Sequence, residues 1–430
     1  MRLPGARIYV VNEASLIPVV QKRIRSLSFS PILVEMSARV VGVTRKTWDI
    51  INRDFMNDDS LISGMHTITH QAMSPGPKLD LLTRNATRFI QKHLDDYASQ
   101  RNVTISLKAW VDHQVIMSTT DCFYGAHNPF RGPNVEALWH DYETGIVPLL
   151  ISIFPSITAA KHVRARRILV EAFESYFTHI RQADTCDASA LITERFELYQ
   201  QNGIPIPDIA RIEVGQALGL ISNMKPAAFW LLYHVFSDKI VLQDCRAELS
   251  RICTEKNAIC TINIRNLSQS CPVLASTFQE VLRFHGTGVS PRMVVEDERL
   301  NGQYLLKKGA VVLIPAWVQH RDRGNWGDEA DVFNHKRFVR EPCKKRSHNP
   351  AAFRGFGGGA TLCPGRHFAT AEVVTLAALV IHRFDMDPVE GRWTYPKATS
   401  SKPGIAVHQP DGDLRLTLSR RCQKEWAVQA

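Results

Sequence analysis

The sequence predicts a large, mainly α-helical domain with a minor β part. Three observations carry this. Segments of helical pattern, broken by Pro and Gly, fill most of the chain from about residue 15 to residue 286. One of them, 207–238, is apolar on more than one face, as a helix through the middle of a large domain is. Strand-like sequence is confined to the first dozen residues, to 291–317 and to the tail.

The elements follow in order. Residues 7–11 are rich in β-branched and aromatic side chains, and Asn12 stops that strand. Helical periodicity covers 81–97, 108–122, 135–152, 159–182 and 188–202. The long segment 207–238 contains Pro226. Proline removes an intrahelical hydrogen bond and crowds the preceding turn, so the helix should open near Ser222 and Asn223. A short helix over 274–286 ends at Gly286. In 291–317, Asn301-Gly302 supplies the positive φ angles of a type I′ hairpin. A loop with Gly, Trp and acidic residues covers 322–338, and a helix covers 365–384. The tail, 404–421, reads as a hairpin turning at Asp411-Gly412. There are no repeats and no low-complexity linker. The chain therefore reads as one intertwined domain over 1–430, although roughly 150 residues per domain would allow two or three.

Composition narrows the class. The chain is 44% apolar and 22% charged, an ordinary globular balance that excludes disorder, collagen-like repeats and a coiled coil. The 52 Lys and Arg against 42 Asp and Glu give a net charge of +10. That excess fits an acidic protein, a membrane surface or nucleic acid without choosing among them. No recognition motif accompanies it, so nucleic acid is not supported. Nine cysteines are far below disulfide-scaffold density, and a reducing, intracellular setting fits them better. Cys253, Cys260 and Cys271 are spaced too irregularly for a zinc ribbon. No window holds the ~18 uninterrupted apolar residues of a membrane span, and the N-terminus lacks the core of a signal peptide.

The chemistry concentrates in residues 353–366, Phe-Arg-Gly-Phe-Gly-Gly-Gly-Ala-Thr-Leu-Cys-Pro-Gly-Arg. Gly355-x-Gly357-x-x-Ala360 mimics a dinucleotide fingerprint, but no hydrophobic strand precedes it, which excludes that reading. Gly357, Gly358 and Gly359 remove Cβ atoms, so the backbone can approach a large flat ligand and turn sharply. Cys363 comes just before a helix, and Pro364 suits the first helical position. A thiolate there gains from the helix dipole and the free N–H groups. Such a thiolate beside a flat-ligand loop is what a haem iron ligand needs.

These residues resemble the cysteine loop of the cytochrome P-450 family, Phe-x-x-Gly-x-(Arg/His)-x-Cys-x-Gly, through Phe356, Gly359, Cys363 and Gly365. Glu280 and Arg283 resemble the family's Glu-x-x-Arg pair. Arg292 matches a position that often binds a haem propionate. The segment around Arg337 resembles the loop whose arginine joins that pair. Alone, Glu280 and Arg283 equally read as a surface pair worth a few tenths of a kcal/mol, and Arg337 as a solvated loop residue. With the Cys loop at its right distance they read as a buried structural network. The resemblance implies the P-450 fold: a long central helix, haem between it and the Cys loop, and small sheet elements near both ends. It implies haem b on the Cys363 thiolate, O2, and electrons from NADPH through a partner reductase. It further implies an N-terminal membrane anchor and first strand that this chain lacks, and a location at the endoplasmic reticulum membrane. From its own residues the chain could equally be peripheral or cytoplasmic.

Two departures stand out. Thr361 replaces the Arg or His two positions before the cysteine, so propionate binding rests more on Arg292 and on groups the sequence does not place. Ser222-Asn223 stands where most members carry an acid–alcohol pair. Asn can hydrogen-bond an iron-bound ligand but cannot shuttle a proton. Both features are similar to the steroid 7α-hydroxylase and prostacyclin synthase branch and to fungal enzymes of terpenoid, steroid-like and polyketide metabolism. The resemblance then implies a monooxygenase oxidising a lipophilic small molecule of fungal secondary metabolism. The alternatives are a reductase-independent haem isomerase or dehydratase and a truncated, inactive haem protein. Substrate contacts are expected from 218–223, 287–290 and 404–407. Lys344, Lys345, Arg346 and Arg354 form either a face for an acidic flavin reductase or a solvated charged loop.

Overall fold

The computed structural model describes residues 1–3, 6–53, 57, 59–100, 102–182, 187–256, 259–264, 267–340, 348–398, 405–421 and 425–429. Its strands are β1 Arg2–Leu3, β2 Ala6–Val10, β3 Leu27–Ser28, β4 Asn102–Ser106, β5 Cys253–Lys256, β6 Ile259–Asn263, β7 Val289–Val294, β8 Glu298–Leu300, β9 Tyr304–Leu306, β10 Val311–Pro315, β11 Phe384–Pro388, β12 Arg415–Arg420 and β13 Glu425–Gln429. The principal helices are α1 Leu61–Met73, α2 Pro77–Ala98, α3 Leu107–Tyr124, α4 Val135–Thr144, α5 Ala160–Gln182, α6 Ala190–Gln201, α7 Ile206–Ile221, α8 Met224–Ser237, α9 Lys239–Arg251, α10 Pro272–Phe284 and α11 Arg366–Arg383. The chain is thus mainly helical with small sheets, as expected.

Local chemistry sets several boundaries. Ser60 caps α1 by accepting from the Ser63 N–H, and Asp238 caps α9 by accepting from Ile240 and Val241. Pro77 opens α2, whose buried Leu79, Leu82, Ala86, Ile90 and Leu94 form one stripe at helical spacing. That stripe faces α3 and α11. Asn301 and Gly302, with φ of 49° and 70°, join β8 to β9 as the Asn-Gly turn requires.

The central segment is two helices, α7 and α8, separated at Ser222-Asn223. Pro226 cannot donate to the Ser222 carbonyl, which accounts for the opening at the expected place. All of α8 except His234 and Ser237 is buried, against α3, α9, α10 and α11. Its buried Lys225 is paired at 2.8 Å with Glu143 of α4.

A five-stranded sheet has the order β1-β2-β10-β7-β3, and a second core of Ile17, Leu27, Val294, Val312 and Ile314 lies against it. Two expectations need correction. The stretch 135–152 is not one helix: α4 stops at Gly145, and a short helix Ile146–Ile151 follows. A Cβ at Gly145 would lie 2.4 Å from His162, so the close approach to α5 at this point requires a glycine. The tail is not a hairpin. β12 pairs with β11 on one side and β4 on the other, while Val407 bridges to Gly286.

A buried charge network anchors α10. Arg283 donates to both Glu280 oxygens at 2.7 Å and to the carbonyls of His320 and Ala330 at 2.8 and 2.7 Å. Arg337 donates to Glu280 at 3.1 Å, and the Asn334 N–H adds a bond of 2.9 Å. Glu280 and Arg283 are wholly buried. Arg283→Ala would leave the Glu280 charge half-compensated in the interior and free two carbonyls. We expect a loss of about 3–5 kcal/mol in urea unfolding, against under about 1 kcal/mol for Arg45→Ala in an exposed pair.

Glu372 of α11 is buried and accepts from Ser118 and Thr119. Burial pushes its carboxyl up to about 7, the two hydroxyls opposing. The folded chain therefore keeps a proton that the unfolded chain loses near 4.5. Below that pH the group contributes nothing. Stability falls as pH rises through the window, and above about pH 7 the full cost, on the order of 3 kcal/mol, is present. Glu372→Gln should gain stability over the wild type progressively from pH 4.5 to 7, read as the difference in unfolding midpoint. A pH-independent difference would contradict this.

Candidate active site

The Cys loop, β7, the α7–α8 junction and the start of α11 enclose one cavity. Its walls are largely apolar, with Leu220, Met224, Ala227, Phe368 and Val407 among them. The loop is shaped by its backbone. Gly357 and Gly359 adopt φ of 75° and 62°, and the Cys363 N–H returns to the Phe356 carbonyl at 2.9 Å. Gly355, Phe356, Gly357, Cys363 and Gly365 line the cavity. Gly359 does not: a Cβ there would meet Gln21 at 2.8 Å, so its task is the turn and the packing behind the loop.

The cysteine's environment differs from expectation. α11 begins at Arg366 with Gly365 as its N-cap, so Pro364 and Cys363 lie ahead of the helix. Burial pushes the Cys363 thiol up, and the Gly365 N–H and the Arg366 charge only partly offset it. The helix end alone does not hold a thiolate here. A cation bound at the sulfur would reverse that balance.

Two arginines define the polar side. Arg292 on β7 donates to the Thr361 hydroxyl and the Pro291 carbonyl. Arg354 donates to Ser290 at 2.8 Å, while its Nε is buried without a partner. Both are only 4% exposed, both line the cavity, and neither has a carboxylate partner among the described residues. Burial pulls the Arg354 guanidinium down to about 10, and Arg292 beside it adds to the effect. Two buried cations facing one cavity need an anionic occupant. The carboxylates of a haem meet that need, and a thiol stands in the same cavity.

Arg354 was the residue that sequence reasoning misplaced. It belongs to the cavity, not to a docking face with Lys344, Lys345 and Arg346, which lie outside the described residues. Its neighbours Phe353 and Phe356 are the only local signal of burial. Its backbone is pinned as well: the Arg354 N–H donates to His320 Nε2 at 2.9 Å. Burial, with Arg283 adding to it, pulls the His320 imidazole down to about 3, so the ring is a neutral acceptor. The same His320 offers its carbonyl to Arg283. The Glu280–Arg283–Arg337 network is therefore outside the cavity but one residue from its loop.

Opposite the loop, Asn223 reaches the cavity and Ser222 does not. The Ser222 hydroxyl is buried without a partner among the described residues. The Asn223 Oδ1 accepts from the Ala406 N–H at 2.6 Å, which ties the helix opening to the 405–407 segment. Its Nδ2 group remains as a donor. Of the expected substrate contacts, Gly219, Leu220, Asn223, Gly288, Val289, Ser290, Ala406 and Val407 line the cavity. Leu218, Ile221, Ser222, Thr287 and Ile405 do not, and Gly404 lies outside the described residues.

The family model described as cytochrome P-450 matches residues 44–416. A cytochrome P-450 monooxygenase of Hypoxylon pulicicidum is 32% identical over 98% of this chain and 82% of its own length. Another, of Gibberella zeae, is 29% identical over 92% and 76%. A cholesterol 7-alpha-monooxygenase of Cricetulus griseus is 27% identical over 45% of this chain and 42% of its own. Among solved structures, a retinoic-acid-bound cyanobacterial CYP120A1 superposes with a TM-score of 0.71 over 97% of this chain and 90% of that one, at 19% identity. That last likeness concerns the fold. No described helix is long and apolar enough to cross a membrane. With the family model spanning most of the chain and a full-length relative at 32% identity, this chain belongs to the cytochrome P-450 family of haem-thiolate oxidoreductases.

Proposed function

We propose that the chain acts as one haem domain over 1–430 and oxidises a lipophilic small molecule, with the Cys363 thiolate as the group that would hold the iron. The observation that carries this reading is the meeting of Cys363 with two buried arginines, neither with a carboxylate partner among the described residues, in one apolar-walled cavity. Arg292 and Arg354 would hold the propionates of haem b. Thr361 would act through Arg292, whose guanidinium it positions. Phe356, Gly357 and Gly365 would give the loop its close approach. When bound, the group supplies thiolate-supported activation of O2, with electrons from NADPH through a partner reductase. The chain's own part is to exclude water, orient the substrate against Leu220, Ala227 and Val407, and place the Asn223 amide over the reacting face.

A terpenoid, steroid-like or polyketide substrate of fungal secondary metabolism fits the apolar walls. The fungal relatives support it. So do partial matches to proteins named cholesterol 7-alpha-monooxygenase and Ent-cassadiene C11-alpha-hydroxylase 1. The location proposed from the family is the endoplasmic reticulum membrane.

One observation favours a second reading. The Asn223 acceptor atom is used by Ala406, and its amide N–H groups remain as donors. A donor can hold a bound oxygen but cannot pass a proton on. That suits a haem isomerase or dehydratase working on an already oxygenated substrate without a reductase. Turnover with reductase and NADPH, against turnover with neither, separates the two.

Cys363→Ala should abolish the red-shifted thiolate band in the carbon monoxide difference spectrum of the reduced protein; a retained band sinks the ligand assignment. Asn223→Ala should lower turnover roughly 10–100-fold, the loss of one buried hydrogen-bonding group, while haem content changes little. A variant that loses haem in proportion to activity would remove Asn223 from the reaction.

A further inference from the structure

A second cluster of ligand atoms lies at the far end of α11. That helix has 18 residues, about 27 Å at 1.5 Å per residue, so its last turn is remote from Cys363. β5 and β6 form an antiparallel pair in which Glu255 stands opposite Cys260 and Cys253 opposite Ile262. Opposite residues share a face, as do residues two apart, so Cys253, Glu255 and Cys260 stand on one side of the pair. His382, in the last turn of α11, meets that side. Its Nε2 is 3.7 Å from the Cys260 sulfur. The ligand atoms of Cys253, Cys260 and His382 all lie within 4.8 Å of one another.

The structure joins Cys253 and Cys260 as a disulfide, so a metal could take the two sulfurs only in the reduced chain. In the reduced chain the imidazole adds a third ligand: two thiolates and an imidazole are three of the four ligands of a tetrahedral zinc site. We propose that Cys253, Cys260 and His382 bind one zinc ion, with the fourth position open to the Glu255 carboxylate on the same face. Cys260 is buried, while Cys253 and His382 are half-exposed, which gives the ion a route in. The ring is held from its other side by Trp426 of β13, edge-on at 4.8 Å. β13 pairs in parallel with β6, with Trp426 beside Cys260. The ion would therefore fasten the β5-β6-β13 sheet to the end of the helix that starts beside Cys363.

Cys271 is not part of the cluster; it is buried at the start of α10. A ribbon spacing would not reveal this cluster, because its third ligand is His382, 122 residues beyond Cys260.

The test uses the full-length, haem-loaded protein purified under reductant, with metals counted by mass spectrometry. One zinc per chain is expected, falling to near none in Cys253→Ser and in His382→Asn while both keep the carbon monoxide band. In the wild type, a mercurial titration should release the zinc as two thiols react, read with a chelating dye. Wild-type protein without zinc overturns the proposal, whether its peptide map shows Cys253 joined to Cys260 or both free. Zinc that persists in both variants overturns it too, because the ion is then held elsewhere.

Discussion

Two buried guanidinium groups, Arg292 and Arg354, face the same cavity with no carboxylate partner among the described residues. Each would be costly to bury alone, and side by side they repel. The structure around them is arranged to keep both in place. Ser290 and Thr361 take one donor from each, and β7 carries Arg292 while the neutral His320 ring fixes the Arg354 backbone. His320 in turn hangs on Arg283 through its carbonyl. The Glu280–Arg283–Arg337 network thus acts on the cavity without touching it. It holds the residue that holds the loop that presents Cys363. An anion at the arginines and a cation at the sulfur are the two charges this arrangement lacks, and a haem with its iron brings both.

The opposite wall rests on a backbone defect. Pro226 opens the central helix, and Asn223 fills the opening with a bond to the Ala406 N–H. The same 405–407 segment takes bonds from Thr287 and Gly288 at the entry to β7. One polar side chain therefore joins the central helix, the tail and the strand that carries Arg292. Its oxygen serves this structural task, and its amide N–H groups remain as donors. On the proposed function, proton delivery would then come from water or from the substrate, and the choice between oxygenation and rearrangement would centre on this residue.

What could be read from the sequence was what is local in sequence. The Cys loop, the three-residue spacing of Glu280 and Arg283, the Asn301-Gly302 turn and the break before Pro226 each declare themselves within a few residues, because turn chemistry and helical spacing are local. What could not be read depends on distant partners. Arg354 looks like one more surface cation until Ser290 and Arg292 are brought over it. The tail suggested a hairpin because Asp411-Gly412 is a turn signal, yet β12 finds β11 and β4. Gly145 does not interrupt the helical pattern of 135–152, and only His162 of α5 explains why no side chain fits there.

α11 connects these observations. It leaves the Cys loop at Gly365, carries the buried Glu372 against α3 in its middle, and brings His382 in its last turn beside Cys253 and Cys260. The buried carboxyl is tolerated there because Ser118 and Thr119 donate to it, which offsets part of the cost of its burial. Rigidity is what a loop holding a thiolate needs from the element that follows it, since displacement of the helix start would move Cys363 against the cavity. The charge network secures the loop from the side of α10. The packing of α11 on α2 and α8 secures it from the other side, and a fastening at the His382 end would keep the helix from sliding along its own axis.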